Sequence, residues 1–278
     1  MFNKVLAAVS ALAIFSTGLM VGAANAGVVM EGLIGYWSFD DVQGGIASDL
    51  VGNNDVALMH GDSPELFGDG PSDPQITSGK IGMGVEFDGD GDYAESMGNI
   101  PITGSAPRTL SAWIKFNGFV SQKQVPVGWG WEGETEQICQ GELYAITAWD
   151  GPRIALWGVC NDHVSTERFE QDVWAHVTAT YENDIELKIY VNAEEVYNKT
   201  DVTPLQTGDS KMTLGKQIFT FGDRAWTNGV VDEVAIYDRA LNPDEVMQNY
   251  TADEFGAVAV DTAGTIAAVW GVIKRASR

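Results

Sequence analysis

Three carboxylates fall at alternate positions in Glu182-Asn183-Asp184-Ile185-Glu186. Alternate residues of a strand share a face, and retaining glycoside hydrolysis requires two carboxyl groups roughly 5 Å apart, which that alternation can provide. The flanking segments argue against this chemistry. "HVTATY" (His176 to Tyr181) and "LKIYV" (Leu187 to Val191) both read as strands, so Asn183-Asp184 reads as the hairpin turn between them, and turn residues do not share a face. The sequence holds no His-Glu-x-x-His, no Gly-x-Ser-x-Gly elbow and no phosphate-cradling glycine loop. Its histidines, His60, His163 and His176, are scattered. His176 shares the polar phase of its strand with Trp174 and Thr178, which gives it a surface or satisfied structural role.

A second carboxylate sits where a core residue belongs. In "NGVVDEVAIYDRALNPDEV" (Asn228 to Val246), a period of two puts Asp232 on one face with Val230, Val234 and Ile236. An ionised carboxylate taken out of water needs compensation. Asp232 therefore expects a metal cation, backbone amides at the rim of a sheet, or a nearby arginine. The run Asp88-Gly89-Asp90-Gly91-Asp92 imitates the start of a calcium loop, but Tyr93 and Asn99 stand where the EF-hand pattern wants glycine and glutamate. It reads as a polar hairpin turn.

Aromatic residues supply the third kind of chemistry. Of nine tryptophans, Trp129 and Trp131 in "VGWGWEGE", Trp149 beside a turn and Trp157 on the return strand lie in the same central region, and Trp226 in "GDRAW" can join from another loop. Sugar rings present C–H faces that pack on indole, while groups such as Glu132, Glu134, Asn161 and Asp162 take the hydroxyls. The alternative is ordinary core packing, because Trp is largely buried in most sandwiches. Cys139 and Cys160 bound the same region, at the two ends of a hairpin folded about Asp150-Gly151-Pro152-Arg153. In an exported protein that placement favours a disulfide over free thiols or metal ligation.

Export is what the N-terminus predicts. Lys4 gives a short basic start, Val5 to Met20 is mostly apolar, and Ala24-Asn25-Ala26 forms a small-x-small cleavage site, so residues 1–26 read as a signal peptide. The apolar run is interrupted by Ser10, Ser16, Thr17 and Gly18 and is short for a bilayer span of roughly 20 residues. No later segment reads as a membrane span in the mature chain. A formal charge of −23 repels nucleic acid and anionic membranes and attracts divalent cations. It also serves simply to keep an external protein soluble.

What must position these groups is a set of about a dozen short strands, running from Leu33–Asp40 to Val230–Tyr237 between turn signals. Leu110, Ala112, Ile114 and Phe116 alternate with Thr109, Ser111, Trp113 and Lys115, so each such strand buries one face. With 32 glycines and frequent turn pairs, the pattern gives an all-β fold, two antiparallel sheets packed as a β-sandwich. Asn242-Pro243-Asp244-Glu245 carries a helix start, which adds one short C-terminal helix. Residues 251–278, rich in Ala, Gly and Val, read as an appended tail that serves as linker, docking segment or attachment signal.

Five stretches carry a resemblance. "GLIGYWSFDD" (Gly32 to Asp41), "GKIGMGVEFDGDGDYAE" (Gly79 to Glu95), "RTLSAWIKF" (Arg108 to Phe116), "WAHVTATYENDIELKIYVNAEEV" (Trp174 to Val196) and "GVVDEVAIYDRALNPDEV" (Gly229 to Val246) resemble, in that order, laminin-G-like domains of the concanavalin A-like lectin/glucanase superfamily. The resemblance implies a jelly roll over residues 27–250. It also implies a structural calcium (Ca2+) held by an early strand and by an aspartate near the last one, which here are Asp40 and Asp232. Enzymes of the superfamily carry Glu-x-Asp-x-Glu on a cleft strand, whereas here the matching residues fall on a surface turn. Fold alone does not choose among sugar binding, adhesion and hydrolysis. The reading taken is a secreted, non-catalytic module that binds a glycan or an extracellular protein. A glycoside hydrolase and a structural surface protein attached through its tail stand as alternatives.

Overall fold

The computed structural model describes residues 27–61, 74–130, 141–216, 225–253 and 255. The proposed signal peptide, Trp131, Cys139 and almost all of the tail lie outside the described residues. The strands are β1 (Leu33–Trp37), β2 (Val42–Gln43), β3 (Ile46–Ala47), β4 (Val56–His60), β5 (Gln75–Ser78) and β6 (Met83–Asp88). Then follow β7 (Asp92–Asn99), β8 (Arg108–Phe116), β9 (Lys123–Trp129), β10 (Tyr144–Trp149), β11 (Arg153–Trp157) and β12 (His163–Arg168). The last are β13 (Ala175–Glu182), β14 (Glu186–Val191), β15 (Glu194–Thr200), β16 (Lys211–Leu214) and β17 (Asn228–Tyr237), before helix α1 (Pro243–Thr251).

These strands form two antiparallel sheets. The first runs β15-β14-β13-β8-β17-β6-β5, with β1 also pairing β17, and the second runs β12-β11-β10-β9-β16-β7-β4-β3-β2. The alternation read in β8 decides which side chains meet between them: Leu110, Ala112, Ile114 and Phe116 are fully buried in the core, alongside Val127, Trp129, Tyr144, Ile146 and Leu214 of the second sheet. The reverse face of the first sheet is covered by α1 and by the segment before β1, so that Leu241 and Val246 pack on Tyr190, Ala235 and Tyr237. Asn242 caps the helix in a full capping box with Glu245, and Pro243 begins the helix, as its sequence implies. Among the described residues no helix is long and apolar enough to cross a membrane.

Two local expectations change. Asp88 to Asp92 is no hairpin turn: it carries the chain from β6 in one sheet to β7 in the other, and Asp92 Oδ2 accepts the Asp88 amide at 3.1 Å. In β17 the period of two breaks at a bulge between Asp232 and Ala235, where Glu233 has φ 52°. Val231, Val234 and Ile236 face the core, whereas Asp232 stands opposite Trp113 on the face turned toward α1. Asp232 is still fully buried, so the demand for a partner survives the change of face.

Arg108 closes one end of the sandwich. Its guanidinium is fully buried and donates to Ala106 O at 2.8 Å, Gly104 O at 2.7 Å and Thr207 Oγ1 at 2.5 Å, between the rings of Tyr144 and Tyr181. Carbonyls and π faces thus stabilise a cation that has no carboxylate at ion-pair distance among the described residues.

Candidate functional site

The partner of Asp232 is the loop between β5 and β6. Its Oδ2 accepts the amides of Lys80 at 2.7 Å and Ile81 at 3.0 Å, and its Oδ1 accepts that of Glu233 at 2.8 Å. The backbone comes this close because position 79 has no side chain: a Cβ there would stand 2.5 Å from Asp232 Oδ2. Asp40 grips the same loop from the other side, its Oδ1 accepting the Met83 amide at 2.8 Å. Burial outweighs the three amides and pushes the Asp232 carboxyl up to about 7, with the charge of Asp40 adding to the rise. Burial likewise takes Glu233 up to about 8.

The two carboxylates therefore face each other across a four-residue loop, and among the described residues neither has a lysine or arginine at ion-pair distance. A cation between them would draw most of its oxygens from backbone carbonyls and water, because no group of three or more acidic, histidine or cysteine side chains occurs among the described residues. Of the other carboxylates, Glu182 pairs with Glu186 across the β13–β14 hairpin. Asn183 and Asp184 occupy its turn with positive φ, and Asp184 accepts the Tyr181 hydroxyl at 2.6 Å.

The tryptophans divide by strand phase. Trp129 is fully buried between the sheets, its ring 5.2 Å from that of Tyr144 and its Nε1 donating to Ile102 O at 3.4 Å. It belongs to the scaffold, which corrects its assignment to a ligand surface: β9 pairs its residues Val127 and Trp129 with the inward positions Ile146 and Tyr144 of β10. Trp131 lies outside the described residues, as do Glu132 and Glu134.

Trp149 and Trp157 point the opposite way, off the face of the second sheet turned from the core. Their rings meet edge to face at 5.9 Å, and the Lys123 ammonium lies 3.8 Å from the centre of one and 4.3 Å from the other. Trp149 is half-buried and Trp157 buried. Across β9, the Val125 amide donates to Ala225 O and the Gly215 amide to Pro126 O, which brings Trp226 and Lys216 to the same end of this face. Trp226 keeps part of its surface open and its ring lies 6.3 Å from Tyr93, while the Lys216 ammonium caps Tyr93 at 3.2 Å.

The lysines and Tyr93 were invisible to pattern reading, because cross-strand register alone puts Lys123 beside Trp149. Cys160 follows β11 with φ 58°, and no free cysteine occurs among the described residues; Cys139 lies outside them. Asn161 Nδ2 donates to Thr203 O, and Asp162 Oδ1 accepts the Gly158 amide. His176 is buried, not exposed, 2.9 Å from Ser111 Oγ, and burial depresses it to about 3.

Comparison with known proteins gives one family match and three likenesses of fold. A laminin G family model described as concanavalin A-like lectin/glucanases superfamily matches residues 88–247, more than half of the chain. Domain 4 of AbnA, a GH43 extracellular arabinanase from Geobacillus stearothermophilus solved in complex with arabinotriose, superposes with a TM-score of 0.59 at 18% identity, over 78% of this chain and 98% of that one. Trypanosoma rangeli sialidase gives 0.58 at 17% identity over 81% of this chain, which spans only 33% of the sialidase. The binding domain of Paraclostridial Mosquitocidal Protein 1 gives 0.56 at 16% identity, over 79% of this chain and 52% of that one. None of the curated proteins matches.

Proposed function

Because the chain belongs to the concanavalin A-like lectin/glucanases superfamily, we propose that it is an exported, non-catalytic module that binds a glycan on the outer face of its second sheet. The observation that carries this reading is the aromatic group there. Trp149 and Trp226 offer open indole surface, backed by Trp157 and Tyr93, which is how a protein presents apolar rings to sugar C–H faces. The likeness to an arabinanase domain solved with a trisaccharide supports the ligand class. That the three carboxylates are split around a hairpin, Asp184 in its turn and Glu182 and Glu186 at its strand ends, and do not line one continuous strand, supports binding over hydrolysis.

A glycan array followed by calorimetric titration tests the proposal. Trp149→Ala and Trp226→Ala should each weaken the best ligand by about tenfold or more, the loss expected of an anchoring aromatic residue. Equal affinity in both variants, or no glycan bound by the parent protein, refutes it.

The same proposal includes a calcium ion between Asp40 and Asp232, where it would neutralise two carboxylates that repel each other across one loop. It includes export with removal of residues 1–26, a module covering residues 27–250 with an appended tail, and a bridge between Cys139 and Cys160, in keeping with the lack of free cysteine among the described residues.

A further inference from the structure

The ligand face holds cations that the rest of the molecule does not use. Acidic residues outnumber lysine and arginine by 39 to 16, yet the ammonium groups of Lys123 and Lys216 rest on aromatic rings with no carboxylate at ion-pair distance among the described residues. The acids that act on them are engaged elsewhere. Asp150 pairs with Arg153, Glu95 with Lys211, and Asp162 accepts the Gly158 amide. Both lysines are partly desolvated, which lowers the proton affinity of each and takes Lys216 down to about 8, and the nearby carboxylates only partly offset that loss of solvent. An ammonium held on an aromatic ring keeps N–H donors for a further acceptor, and an incoming anion completes it.

We propose that the glycan bound here is acidic, a saccharide whose carboxylate or sulfate group is received by Lys123 and Lys216 while its rings lie on Trp149 and Trp226. The proposal rests on the glycan-binding reading above and adds the charge of the ligand. The remainder of the surface, strongly negative, disfavours indiscriminate anion binding, so selectivity for acidic sugar is confined to this aromatic corner.

The test titrates the chain with three oligosaccharides of equal length: an oligogalacturonate, a sulfated galactan fragment and a neutral galactan fragment. At least one acidic probe should bind about tenfold or more tightly than the neutral one, the difference worth one charge-assisted contact, and that preference should shrink as salt rises. Which acidic probe prevails separates carboxylate from sulfate. Lys123→Gln and Lys216→Gln should each remove most of the preference. Lys115→Gln, whose ammonium lies 5.2 Å from the Trp174 ring on the other sheet, should leave it intact. If a lysine variant fails to fold, the salt dependence of the parent protein decides. Neutral and acidic probes bound equally at all salt concentrations overturn the acidic ligand and leave glycan binding standing. No binding by any of the three, with a blank glycan array, overturns both.

Discussion

Replacing Asp232 by Asn separates burial from hydrogen bonding at the loop it holds. Burial raises the carboxyl from 3.8 to about 7. Because the folded value lies above the unfolded one, the stabilisation is complete below about pH 4 and is lost as pH rises through about 7. Three pK units at 1.36 kcal/mol each bound the loss at about 4 kcal/mol, an upper figure since relaxation and water entry soften it. For a domain of this size that is roughly 8–16 °C of melting temperature. Glu233, raised from 4.5 to about 8, acts in the same direction and remains in the variant.

Asparagine has the shape of the protonated acid and, like it, carries both a donor and an acceptor. In chelator at pH 5 the two proteins should therefore melt within a few degrees of each other. At pH 8 the parent should melt lower than Asp232→Asn, because both proteins carry buried Glu233 but only the parent must also ionise Asp232. Calcium should reverse that order at pH 8 by sitting between the carboxylates of Asp232 and Asp40, raising the parent and leaving the variant unmoved. Differential scanning calorimetry at the two pH values, with chelator and with calcium, reads all four conditions. Identical pH slopes for parent and variant in chelator would falsify the burial argument, and equal response to calcium would remove the proposed ion from this loop.

Trp129→Ala should cost about 3–5 kcal/mol in denaturant unfolding, as for other large buried aromatics, with glycan affinity unchanged in the fraction that remains folded; a loss of affinity with unaltered stability would return Trp129 to the ligand surface. Reduction of the protein, or Cys160→Ser, should lower stability by about 3 kcal/mol, the loss for a bridge closing about 20 residues. Mass spectrometry under non-reducing conditions should show no alkylated cysteine. Arg108→Ala should destabilise by about 3 kcal/mol or more, since it empties a buried site, leaves the Ala106 carbonyl without its donor and leaves Gly104 O with the Thr207 hydroxyl alone; retained cooperative unfolding at the parent midpoint would show that these carbonyls find water instead.

The two sheets were legible because the face turned to the core between them writes a period of two into the sequence, even where the other face is covered as well. β8, β13 and β14 show it without interruption, and the helix start at Asn242 is equally local, set by a capping side chain, a proline and Glu245. Five strands escaped notice. β2 and β3 have two residues each, too few for a period, and β5, β12 and β15 are largely exposed, so neither face is marked by apolar residues. The phase error at Asp232 has a related cause: the bulge at Glu233 adds a residue that no local pattern announces, and every side chain before it changes face.

The site was less legible than the fold, for a reason visible in the tryptophans. Trp129 and Trp149 lie on neighbouring strands and both read as candidates, yet register sends one into the core and the other outward. A one-residue difference in phase thus separates scaffold from ligand surface, and it depends on pairing between strands more than on either strand alone. The lysines carry the point further. Lys123 and Lys216 are 93 positions apart in the sequence and reach the same end of one face only because β9 runs between the end of β16 and the hairpin of β10 and β11. Chemistry assembled across a sheet in this way is determined by register, so a substitution that slipped β9 by one residue would exchange Trp129 for Gly128 at the core, bury Lys123 and abolish the face without altering a single residue on it.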